Sequence, residues 1–198
     1  MEYFYAPFEC KADNTSDGTI FGYGSIFGNV DSYGDIVAPG AFAKTINDAK
    51  SGAKSWPAML LQHGDDTADG KMPVGIWTDM SEDSKGLRLT GKLAINTERG
   101  KDVHELLKLG ALNGLSIGFR CTDYEMHKAN TGPNGARRTI KAASLVEISI
   151  VTHPSNLKAR VLSVKSERDA EPKPVDENAW KRFAWESFEA TRRLAEKR

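Results

Sequence analysis

Three residues in this chain could carry out acyl transfer if folding brought them together: Ser116, His63 and Glu147. A serine nucleophile needs a base to take its hydroxyl proton and a third group to orient that base. Ser116 lies in Asn113-Gly114-Leu115-Ser116-Ile117-Gly118-Phe119, a hydroxyl in an apolar run between two glycines. Burying a hydroxyl unpaired costs free energy, so it needs a partner or a task. The glycines leave room for another backbone or a substrate carbonyl to come close. The same pattern also describes a serine that simply packs in a strand.

His63 ends the run Trp56-Pro57-Ala58-Met59-Leu60-Leu61-Gln62-His63-Gly64, at the exit of an apolar strand, where a histidine can serve either catalysis or structure. Glu147 lies in Leu145-Val146-Glu147-Ile148-Ser149-Ile150-Val151, the most strand-like segment of the chain. A period of two puts it on one face with Leu145, Ser149 and Val151. A carboxylate there either faces water or is buried and paired. His153, in the turn beyond, is the alternative third member, since a second imidazole can accept a hydrogen bond from the first.

Other motifs fail on their own terms. Gly114-Leu115-Ser116-Ile117-Gly118 matches the GxSxG elbow, which requires strand, sharp turn and then helix; here the helix comes first and a strand continues. An α/β-hydrolase is thereby disfavoured. Gly22-Tyr23-Gly24 lacks the third glycine and following helix of a dinucleotide fingerprint. The acidic loop from Asp65 to Gly70 has Ile76 where a calcium loop needs a bidentate glutamate. No metal and no cofactor are expected.

The elements that must position these residues read as a β-rich α+β chain. Strands are expected at 2–11, 18–28, the apolar middle of 56–64, 74–80, 86–95, 119–128, 137–141, 144–151 and 160–164. The stretch from Asn29 to Gly40, with Asp31 and Asp35, reads as a long polar loop held by turn chemistry. Short helices are expected over 41–49 and, capped by Thr97, over 98–109. In the second helix Val103, Leu106, Leu107 and Gly110 share a face, leaving His104 and Glu105 solvated. Residues 1–164 read as one domain and 165–175 as a linker. The segment 176–198 reads as an amphipathic helix, packed on the domain or free to dock a partner.

Composition narrows the classes. The 198 residues include 27 basic and 27 acidic side chains, so no bulk attraction to nucleic acid or an anionic membrane is encoded. No apolar run approaches the ~20 residues of a membrane span, and Met1-Glu2-Tyr3-Phe4-Tyr5 lacks the pattern of a secretory signal. Cys10 and Cys121 form no disulfide framework, which suits a reducing cytoplasm.

Four blocks taken in order are more specific than any of them singly. They are Gly22-Tyr23-Gly24 through Asp31, Gly34-Asp35 and Pro39-Gly40-Ala41-Phe42; Leu61-Gln62-His63; Gly114 to Phe119; and Leu145 to Thr152 with Pro154 and Asn156. Across roughly residues 18–162 the chain resembles the prohead proteases of tailed double-stranded DNA phages, relatives in fold of the herpesvirus assemblins. The resemblance implies a small closed or nearly closed β-barrel surrounded by helices. It implies a serine endopeptidase that works in the host cytoplasm inside the assembling prohead. Its substrates would be scaffold or the scaffolding segment of the major capsid protein, and often itself. Ser116 would be the nucleophile and His63 the base. Glu147 fits the phage pattern for the third member, and His153 the second histidine of assemblins. A homo-oligomer, dimeric as in assemblins, is also implied. Outside this class stand a non-catalytic capsid-assembly protein on the same fold and a serine hydrolase of small esters. With His63 as base, activity should fall as the imidazole protonates below roughly pH 6–7.

Overall fold

The computed structural model describes residues 17–64, 72–128, 131–155, 159 and 161–163. In chain order the elements are β1 (Thr19–Ile26), β2 (Asp35–Val37), α1 (Ala43–Lys50), β3 (Ala58–Leu61), β4 (Gly75–Glu82), β5 (Gly86–Leu93), α2 (Glu98–Lys108), β6 (Gly114–Met126), β7 (Arg138–Val151) and β8 (Val161–Ser163). The eight strands form one curled sheet in the order β2-β7-β3-β4-β5-β1-β8, with β6 on the other side of β7. The far end of the sheet returns toward β6 through two backbone bonds. Leu115 N–H donates to the Ala159 carbonyl at 3.3 Å, and Val161 N–H to the Asn113 carbonyl at 2.9 Å. The expected barrel ringed by helices is therefore met in part: a curled, half-barrel sheet with two helices among the described residues. Neither helix is long and apolar enough to cross a membrane.

The curl encloses an apolar core that includes Ile20, Trp77, Met80, Leu87, Leu89, Leu107, Leu115, Ile148 and Ile150. Glycines make room where a large side chain crosses a strand. A Cβ on Gly91 would stand 2.7 Å from the Trp77 ring, and one on Gly24 would stand 2.9 Å from Leu89 Cδ1. β4 and β5 join through Asp83, whose Oδ1 accepts the N–H groups of Lys85 and Gly86 at 2.8 and 3.0 Å. Its Oδ2 accepts the Tyr23 hydroxyl at 2.6 Å.

Several boundaries differ from the sequence expectation. The polar loop after β1 contains β2, which pairs in parallel with the start of β7. Its register is set by a residue pair the sequence does not connect: Asp35 and Arg138 lie opposite each other and form a two-pronged ion pair. The two strands expected over 137–151 are one continuous strand, and the serine segment opens a single 13-residue β6.

α2 begins as expected, with Thr97 Oγ1 accepting the Gly100 N–H at 3.0 Å. Its buried stripe is Gly100, Val103, His104 and Leu107. His104 is buried, not solvated, and Leu106 is 40 % exposed, while Glu105 is exposed as expected. The helix is rotated because Gly100 packs directly on the Ala94 carbonyl, where any Cβ would clash. The expected strand over 2–11, the acidic loop, the linker and the C-terminal helix lie outside the described residues.

Candidate active site

The site is built around the second half of β7, which lies between two neighbours. β3 runs parallel along one side, with Ala58 opposite Glu147 and Leu60 opposite Ser149. β6 runs antiparallel along the other, with Gly118 opposite Glu147 and Ser116 opposite Ser149. Residues directly opposite each other in a sheet project to the same face. Ser116, Gly118, Glu147 and Ser149 therefore share one face, and the end of β3 delivers His63 to it.

His63 reaches Glu147 from an unusual turn. Gln62, His63 and Gly64 all adopt left-handed backbone, with φ of 49°, 60° and 81°. Two successive non-glycine residues in this region are costly and persist only where their surroundings hold them. Two anchors do so. The Gln62 amide exchanges hydrogen bonds with Thr152, through Oγ1 at 3.1 Å and N–H at 3.3 Å. The His63 N–H donates to Ser149 Oγ at 3.2 Å.

The ring then places Nδ1 2.7 Å from Glu147 Oε1. With Nδ1–H donated to the carboxylate, the neutral imidazole presents Nε2 as its acceptor. The Glu147 side chain is 10 % exposed and that of His63 is 42 %. The buried and paired reading of Glu147 is the one observed. Its second oxygen, Oε2, accepts the Ser149 hydroxyl at 2.5 Å.

Both glycines flanking Ser116 now have a physical reason. A Cβ on Gly118 would run into the Glu147 side chain, within 2.9 Å of its Cγ and Cδ. A Cβ on Gly114 would stand 2.7 Å from Pro154 Cδ and from the Val151 carbonyl oxygen. One glycine admits the carboxylate and the other seats the turn after β7. His153, in that turn, is exposed.

Ser116 is buried, and it lines a cavity of about 260 Å³ together with Ile117 and Phe119. The opposite walls are Gly24 and Ser25 of β1, the loop residues Asn29, Asp31 and Tyr33, and Arg137 with Arg138. His63 and Glu147 lie outside this lining. Charge in the walls is organised. Asp35 is 3 % exposed and is matched by Arg138, whose guanidinium is pushed above its ordinary range chiefly by hydrogen bonding to that carboxylate. Asp31 Oδ1 accepts the Tyr33 and Asp35 N–H groups at 2.8 and 2.9 Å. Burial nevertheless raises the Asp31 carboxyl above the usual carboxylate range. The turn-forming role expected of both aspartates holds for Asp31, whereas Asp35 begins β2 and pairs with Arg138; both line the cavity beside Ser116.

Sequence reasoning missed Ser149, Gln62 and Thr152 as parts of the site. The period of two had placed Ser149 on the face of Glu147, which was the available signal. Nothing local marks Gln62 and Thr152, because they meet across 90 positions of sequence. Among the described residues no group of three or more metal-ligating side chains converges.

Residues 6–174 match the family model described as caudovirus prohead serine protease. The chain is 34% identical over 161 residues to the prohead protease of Enterobacteria phage HK97, covering 80% of this chain and 66% of that one. It is 32% identical over 126 residues to the prohead protease of Escherichia phage T5, covering 64% of this chain and 53% of that one. A capsid polyprotein of Pseudomonas phage PAJU2 is 30% identical over 114 residues, which make up 54% of this chain and 16% of that protein. The chain thus spans between half and two thirds of the length of the two proteases it resembles. The matched region takes in β1 through β8, with Ser116, His63 and Glu147 inside it, and the chain belongs to the caudovirus prohead serine protease family.

Proposed function

We propose that this protein is a serine endopeptidase of prohead maturation, working through an acyl-enzyme with Ser116 as nucleophile, His63 as general base and Glu147 as the group that orients the base. The observation that carries this reading is the Glu147 Oε1 to His63 Nδ1 contact at 2.7 Å on the sheet face that also bears Ser116. A carboxylate at Nδ1 fixes the tautomer with Nε2 as acceptor and stabilises the imidazolium formed when serine gives up its proton. Glu147 rather than His153 takes the third role, because it makes that contact and His153 lies exposed beyond the strand.

The backbone beside Ser116 suits a peptide substrate. Asn113 and Leu115 turn their main-chain groups away from β7, toward Ala159 and Val161. Alternation along the strand then directs the N–H and C=O of Ile117 to the same side, the side of the cavity. Among the described residues no strand pairs with β6 there beyond Leu115. An extended chain lying along this edge would bring its carbonyls next to Ser116. This favours an endopeptidase over a hydrolase of small esters.

The substrates on this reading are the capsid protein and scaffold of the same phage, cut inside the assembling shell in the host cytoplasm, with self-cleavage following from the same specificity. Co-expression with those proteins, comparing wild type and Ser116→Ala by intact mass, tests it. Fragments made only by wild type are expected. Identical masses with normal shells from both would leave a capsid-assembly protein on a protease fold.

A further inference from the structure

Ser149 is completely buried, at 0 % exposure, yet its hydroxyl is not spent on a backbone carbonyl. It donates to Glu147 Oε2 at 2.5 Å and accepts the His63 backbone N–H at 3.2 Å. Both directions are fixed by chemistry. An amide N–H can only donate, so the single hydroxyl proton is left for the carboxylate. One oxygen atom thus ties together the carboxylate and the backbone of the imidazole residue.

From this geometry we infer that Ser149 is a positioning residue for the Ser116, His63 and Glu147 set, on whose catalytic reading the inference rests. Glu147 has two oxygens and free rotation about its terminal bond. Holding Oε2 on Ser149 turns Oε1 toward His63 Nδ1. The N–H bond meanwhile helps keep His63 in a left-handed backbone (φ 60°) that a non-glycine residue adopts at a cost. A serine needing only a satisfied hydroxyl could be content with any neighbouring carbonyl. Here both partners belong to the two groups whose relative placement decides the chemistry.

The hydroxyl also draws charge from Glu147. Among the described residues His63 is the only ionisable group paired with that carboxylate. Removing the Ser149 donor concentrates the negative charge on the contact with Nδ1, and His63 holds its proton more tightly. The acid limb of activity then moves to higher pH.

The test uses Ser149→Ala and, as a near-isosteric variant with a weak donor, Ser149→Cys. Ser149 is fully buried, so it is not exposed to a bound substrate. For Ser149→Ala, kcat should fall roughly 10- to 100-fold with KM unchanged, the size expected for losing a hydrogen bond to a charged group. Ser149→Cys should fall between it and wild type. A second readout needs no turnover: NMR titration of the His63 ring in Ser116→Ala, with and without Ser149→Ala. A higher midpoint in the double variant is expected. An unchanged midpoint in the double variant, with any loss of rate in the Ser149 variants matched by the loss of folded protein, would overturn the inference. Wild type that cuts no capsid or scaffold protein would overturn the protease reading instead, and the titration would still decide Ser149.

Discussion

Glu147 lies across Gly118, so close that a single added methyl group at position 118 would occupy the space of its side chain. The second glycine of the serine segment is therefore required by a residue on the neighbouring strand, not by its own backbone angles. Gly118→Ala should push Glu147 away from His63 and reduce kcat by at least about 100-fold, while overpacking costs about 1–3 kcal/mol of stability. Steady-state kinetics on a cleaved capsid segment, with urea unfolding of the same samples, would separate the two effects. Activity near wild type would mean that the carboxylate does not need its present position.

Asp35 and Arg138 hold β2 to β7 in the cavity wall. Asp35→Ala would strand a half-buried guanidinium, and a loss of about 3 kcal/mol is expected in urea unfolding. Replacing both residues with apolar ones should restore much of that loss. If the single variant unfolds like wild type, the pair is not holding the strand.

Glu82 is buried, and desolvation raises its carboxyl above the usual range, even though the Phe42 N–H donates to it at 2.9 Å. A carboxyl raised in the fold binds its proton more tightly there than in the unfolded chain. Stability should accordingly decline as pH rises from the ordinary glutamate value to the raised one, and the decline should then level off. Glu82→Gln keeps an acceptor for the Phe42 N–H and should flatten that decline. Urea midpoints between pH 4 and 8 would show it, and parallel curves for the two proteins would count against it.

Tyr23 donates to Asp83, and its hydroxyl is pushed up to about 12, first by burial and then by that bond. The stabilisation is complete below the ordinary tyrosine value near 10 and is lost as pH rises from there to about 12. Ultraviolet titration should find a late-ionising tyrosine component that disappears in Tyr23→Phe. That variant should lose about 1 kcal/mol at neutral pH.

The sequence was most readable where one short segment decides the outcome. The Thr97 cap, the β4–β5 hairpin and the strand carrying Glu147 all follow from local pattern, and the ordered blocks around His63, Ser116 and Glu147 pointed to the family. What was not readable depends on partners far along the chain. β2 exists because Arg138 receives Asp35 across 103 positions. The rotation of α2 depends on how closely Gly100 meets Ala94. The left-handed turn at His63 is supported by Ser149 and Thr152, residues that alone look like ordinary strand and turn polars. Alternation gave the face of Glu147 but not what would meet it there.

The long reach of β7 also sets when function can arise. Leu60 and Ser149 become neighbours only after the 88 positions between them have been made and folded. A chain emerging from the ribosome as far as the end of β6 already carries Ser116 and His63. It still lacks Glu147 to orient the imidazole and Ser149 to hold the turn. On the proposed mechanism, hydrolytic competence comes late in synthesis with the strand that also joins β2, β3 and β6, and a partly made protease is a harmless one.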